Sequence, residues 1–127
     1  MDGGSRGNPG PAASGAILYD ERGERLDEIG VFLGVTTNNV AEWTALIEGI
    51  KMALAHGIDE LSIRMDSELV VRQLLGKYRV KNETLIQLHK EAKALLRRFS
   101  SAKVAHVRRE ANAAADAVVN QVLDAQQ

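Results

Sequence analysis

The stretch LSIRMDSELVVRQLLG, residues 61–76, decides the fold class. Leu61 to Met65 reads as a short strand, and Asp66-Ser67 then opens a helix that runs through Val70, Val71, Leu74 and Leu75 to Gly76. Strand, turn and helix in that order form the repeating unit of an α/β domain. Asp66 stands at the C-terminal end of the strand, where the ligand sites of such sheets gather.

Upstream, Thr36-Thr37-Asn38-Asn39 offers helix caps, and Trp43, Leu46, Ile47, Ile50 and Leu54 follow at helical spacing to about His56, with Gly57 as the stop. Ala13–Tyr19 and Leu26–Val35 are rich in Ile, Leu, Val and Phe and flank Asp20-Glu21-Arg22-Gly23, which predicts an antiparallel hairpin. The first eleven residues, MDGGSRGNPGP, read as a loop because of their glycines and the Asn8-Pro9-Gly10 turn signal. Downstream, Asn82 caps a long helix with a core stripe of Leu85, Leu88, Ala92, Leu95 and Phe99. Lys103–Val107 alternates as a strand, and an alanine-rich helix starts at Asn112. The order hairpin, helix, strand, helix, helix, strand, helix predicts one α/β domain over 1–127, with a mixed sheet of about five strands flanked by helices.

The composition narrows the chemistry. There is no cysteine, so disulfides and thiolate metal sites are excluded and any metal must take oxygen or imidazole ligands. No apolar run approaches the roughly 18 residues of a membrane span, and the N-terminal residues are polar and glycine-rich, so we expect a cytoplasmic protein with no membrane partner. The formal charge of −1 hides an uneven distribution. Residues 1–71 carry 5 Lys+Arg against 12 Asp+Glu, residues 72–109 carry 11 against 2, and residues 110–127 carry 0 against 3. A basic surface beside an acidic site is one reading of this pattern, and solvated helix faces are the other.

Four carboxylates stand out, each with an ordinary structural role open to it. Asp2 fits a turn, and Glu42 lies three residues after Asn39, as a capping-box glutamate would. Asp66 fits an N-cap, and Asp116 suits the first turn of its helix through the macrodipole. Taken together, such carboxylates suit hard octahedral cations that keep some waters and complete their shell with substrate phosphate. Two ions about 3.5–4 Å apart can drive an in-line phosphodiester displacement.

Four segments in this order, DGGSRGNPGP from Asp2, TTNNVAEWTALIEGI from Thr36, MDSELVVRQL from Met65 and HVRREANAAADAVVNQ from His106, resemble type 1 ribonuclease H, in particular its compact prokaryotic members. The resemblance implies a ribonuclease H-like fold and an endonuclease that cuts the RNA strand of an RNA/DNA hybrid, leaving a 5′-phosphate and a 3′-hydroxyl. It implies Mg²⁺, or Mn²⁺, as two ions held with substrate bound. Asp2 would bridge both, Asp116 would help hold the ion that activates water, and Glu42 with Asp66 would hold the other. Asn38 and Asn39 match positions that approach the hybrid's minor groove, although helix capping would occupy the same side chains.

Departures from the pattern shape the remaining expectations. Where many members carry a loop histidine, this chain has Arg108-Arg109-Glu110-Ala111, so that role falls to Arg109 or Glu110, and His106 belongs to the strand. The basic, tryptophan-bearing insertion of some bacterial members is missing between Gly76 and Asn82. Affinity then rests on Arg72, Lys77, Arg79 and Lys81 with the stripe Lys90, Lys93 and Arg97. The first strand, central in the family's sheet, is cut short, with Met1 alone before Asp2. That predicts either a natural start several apolar residues earlier or a strand-sharing dimer in place of a monomer. The alternative to a nuclease is a nucleic-acid-binding module of the same fold with little or no turnover.

Overall fold

Leu61, Ile63 and Met65 alternate inward along β4 (Glu60–Met65), so this strand buries one face and leaves Ser62 and Arg64 exposed on the other. Its turn, Asp66-Ser67, leads into α2 (Glu68–Leu74), with Ser67 as the N-cap accepting from the Val70 amide. The computed structural model describes residues 1–126 and arranges the rest of the chain around this unit. Before it come β1 (Asp2–Ser5), β2 (Gly10–Tyr19), β3 (Arg25–Thr36) and α1 (Asn38–Ala55). After it come α3 (Glu83–Leu96), β5 (Ser101–His106), a 3-10 turn over Arg109–Asn112 and α4 (Ala113–Asp124).

The strands form two ladders. β1, β2 and β3 are antiparallel in that order, and β4 pairs with β5 in parallel. Successive side chains of β2 point to opposite faces. Ala16 and Leu18 join the main core with Trp43, Leu46 and Ile50 of α1 and Ile63 and Met65 of β4. Ala13 faces the other way and packs with Val119 and Leu123 of α4. The domain is thus layered, with α1 and α4 on opposite faces of the antiparallel ladder. Asn82 caps α3 through the Leu85 amide, as expected, and Gly57 and Gly76, each with positive φ, follow the ends of α1 and α2.

Two expectations are corrected and one is refined. The first eleven residues are not a loop: Asp2–Ser5 pairs with β2, and only the turn between Ser5 and Gly10 lies outside the ladder. The glycines there mark close approach rather than irregularity, because a Cβ on Gly3 would lie 2.2 Å from the Ala41 carbonyl carbon of α1. The last helix runs over Ala113–Asp124 with Asn112 at its N-cap position, but the Asn112 side chain makes no capping hydrogen bond and donates to the Met1 carbonyl at 2.7 Å. The helix expected to run to Gly76 ends at Leu74, with Leu75 as its C-cap and 53% exposed.

Among the described residues β1 has a ladder with β2 alone, and the Met1 amine donates to the Arg64 carbonyl of β4 at 3.3 Å.

Candidate functional site

Each carboxylate singled out from the sequence is held by a different element. Asp2 opens β1 and is buried. Asp66 is half-buried in the bend after β4, and Asp116 is half-buried in the first turn of α4. Glu42 lies in α1 but one turn further in than its first turn, because Thr37 caps the helix from the Val40 amide. The capping-box role is therefore not taken. Its carboxylate instead accepts a hydrogen bond from the Ser67 hydroxyl at 2.8 Å, which ties α1 to the turn that carries Asp66. Asp66 is not the cap of α2 either, since Ser67 fills that position.

The four are electrostatic neighbours. Burial, the Asp66 charge, and a hydrogen bond and charge from Asp116 push the Asp2 carboxyl up to about 7, against a smaller opposing pull from the Met1 amine. Burial also raises Glu42, with Asp66 adding to it and the Ser67 hydroxyl opposing it. Asp66 thus acts on both Asp2 and Glu42. Among the described residues, no group of three or more His, Asp or Glu side chains is drawn together closely enough to hold an ion unaided. The donor set still fits a hard divalent cation: it is all carboxylate, crowded enough to hold a proton on Asp2 near neutral pH, and open to water and phosphate ligands.

This crowding has a measurable consequence. Asp2 is raised from 3.8 to about 7 in the fold, so its contribution to stability is complete below about pH 4 and is lost as the pH rises through 7. In EDTA at pH 8, Asp2→Asn should raise the melting temperature by roughly 3–6 °C, about the effect of 1 kcal/mol in a domain of this length. At pH 3 the gain should largely vanish, because the carboxyl is then protonated in the folded and unfolded chains alike. An equal gain at both pH values would show that repulsion is not the cause.

Asn38 opens α1, and its side-chain oxygen accepts from both the Ser5 amide and the Ser5 hydroxyl, each at 2.8 Å. The Asn38 amide donates to the Asn8 side-chain oxygen at 3.1 Å. The turn after β1 is thereby knitted to the start of α1, and capping falls to Thr37 rather than to either asparagine. Asn39 is half-buried beside it. The basic residues are distributed differently. Arg72 on α2 is paired with Glu68 at 2.7 Å, Lys81 is exposed before α3, and Arg109 is exposed at the start of the 3-10 turn. No contact joins Arg109 to the carboxylates, and His106 ends β5, exposed.

Sequence reasoning missed Ser67, Ser5 and Asn8. Ser67 sits beside a singled-out aspartate, but nothing in its spacing to Glu42 announces their hydrogen bond. Ser5 and Asn8 were absorbed into a glycine-rich turn whose hydrogen bonds are visible only once α1 lies against it.

The chain matches the reverse transcriptase-like family over residues 1–122. It is 42% identical over 125 residues to the bifunctional protein Rv2228c of Mycobacterium tuberculosis, covering 98% of this chain but 34% of that protein. It is 42% identical over 124 residues to ribonuclease HI of Halobacterium salinarum, covering 98% of this chain and 62% of that one. The chain therefore spans well under the full length of these relatives. Its fold superposes on the crystal structure of LC11-RNase H1 in complex with RNA/DNA hybrid with a TM-score of 0.93 and 42% identity, covering 98% of this chain and 94% of the other.

Proposed function

This chain belongs to the type 1 ribonuclease H family, and from that premise we propose that it is a metal-dependent endoribonuclease acting on the RNA strand of RNA/DNA hybrids. The observation that carries the reading is the grouping of Asp2 with Asp66 and Asp116, brought from three separate elements into one charged neighbourhood. A structural aspartate has no need of two carboxylate neighbours, whereas a cation site does. The LC11 relative's complex with hybrid supports the substrate class.

Asp2, Glu42, Asp66 and Asp116 would hold two divalent ions, Mg²⁺ or Mn²⁺. When bound, such ions supply an activated water and stabilise the leaving oxygen of an in-line displacement, giving a 5′-phosphate and a 3′-hydroxyl. Ser67 fixes the rotamer of Glu42, and Ser5 fixes Asn38. Because the Asn38 oxygen is already used twice, its amino group is the part left to meet the hybrid, as a donor to minor-groove acceptors or to a 2′-oxygen. Asn39, Arg72, Lys81 and Arg109 complete the binding face, the last three as phosphate contacts. The protein acts in the cytoplasm, as a monomer or as a strand-sharing dimer, which light scattering distinguishes.

The test offers labelled single-stranded RNA, duplex RNA, duplex DNA and hybrid to the protein in Mg²⁺ or Mn²⁺ and resolves the products on a gel. Cleavage confined to the RNA of the hybrid is expected. Binding of hybrid without cleavage in either metal would instead establish a binding module of the same fold.

A further inference from the structure

Between α2 and α3 the chain places an aromatic ring where burial does not call for one. Tyr78 is 50% exposed and its neighbour Leu75 is 53% exposed, yet the loop that carries them is firmly built. Gly76, with φ 79°, reverses the chain, and the amides of Lys77 and Tyr78 both donate to the Arg72 carbonyl, at 2.8 and 3.3 Å. The Gln73 side chain donates to the Arg79 carbonyl at 3.4 Å. The Arg72 guanidinium lies 5.4 Å from the Tyr78 ring centroid and is itself pinned to Glu68 by two contacts of 2.7 and 2.8 Å.

One face of the ring is thus backed by a fixed cation, while half of the residue remains open to solvent. Lys77, Arg79 and Lys81 lie within three residues of it along the chain, all exposed. An exposed aromatic face backed by one cation, in a segment rich in others, fits a flat π-system attached to phosphates. In a duplex the bases are already stacked on one another, so a free ring face can accept only a base that has left the stack.

We propose that Tyr78, backed by Arg72, is a stacking site for an unpaired nucleotide, so that this protein engages nucleic acid at junctions between duplex and single strand. The site adds a second ligand to the nuclease reading. It is tested without divalent ions, so either proposal can fail while the other stands.

The experiment measures fluorescence anisotropy in EDTA at one fixed salt concentration, with a blunt 12-base-pair RNA/DNA hybrid and the same hybrid carrying a five-nucleotide unpaired DNA extension. Wild type should bind the extended probe about tenfold more tightly than the blunt one, the scale of stacking one base on an aromatic side chain. Tyr78→Ala should remove that difference and leave the blunt affinity unchanged, while Tyr78→Phe and Tyr78→Trp retain it. Equal affinity of wild type for both probes would overturn the proposal. So would an equal weakening of both by Tyr78→Ala, which would make the ring part of the duplex grip. Loss of the difference in Tyr78→Phe would also overturn it, because the phenyl ring keeps the stacking face.

Discussion

Asp66→Asn is expected to abolish cleavage while leaving the fold intact. Asp66 is the charge shared by the two carboxyls held above their usual range, Asp2 and Glu42, and it stands at the end of β4 without capping α2. Asparagine is nearly isosteric, so the bend is preserved, but the amide contributes no charge to a cation and leaves its neighbours without the ligand they surround. Loss of a directly acting group costs several kcal/mol, so the single-turnover rate at saturating Mg²⁺ should fall by at least about a thousandfold. The melting temperature of the metal-free protein should hold or rise at pH 8, since one of the charges that repel Asp2 is gone. Retention of more than about a tenth of wild-type cleavage would sink the proposal of a four-carboxylate site.

Gly3→Ala should be as damaging by a different route. An alanine Cβ at this position would meet the Ala41 carbonyl carbon and oxygen at 2.2 Å and the Glu42 nitrogen at 2.3 Å. These are backbone atoms inside α1, so no side chain can swing aside to make room. Either β1 or α1 must move, and the Ala41 carbonyl is also the acceptor for the buried Ser14 hydroxyl at 2.6 Å. Gly3 follows Asp2 and abuts the amide of Glu42, so the same displacement separates two of the four carboxylates. Overpacking of this kind costs about 1–3 kcal/mol or more. We expect a fall in melting temperature of roughly 10 °C and near-complete loss of cleavage. Gly4→Ala is the control: its Cβ would meet only the Val119 side chain, at 3.7 Å, an ordinary contact. Scanning calorimetry of the two variants decides it, and equal melting temperatures would mean that β1 does not lie against α1 as described.

What the amino-acid sequence determined by itself was local and periodic. The inward alternation of β4, the cap at Asn82 and the stop at Gly57 follow from side-chain spacing and from backbone preferences that act within a few residues. The family resemblance picked out Asp2, Glu42, Asp66 and Asp116 from the same short segments. The tertiary structure decided the rest, because the deciding partners lie far apart in the chain. Gly3 is a strand residue and not a loop residue because the backbone of Ala41 leaves no room for a side chain. Glu42 is not a cap because Thr37 takes that position and Ser67, twenty-five residues on, holds its carboxylate. Asn112 stands at the N-cap position of α4, yet its side chain donates to Met1, 111 residues away. Asp2 looks like a turn residue until the fold buries it with Asp66 and Asp116 beside it, and burial first, then those two neighbours, push its carboxyl up to about 7. Periodicity can assign a side chain to a face, but which charges face one another depends on how the elements pack.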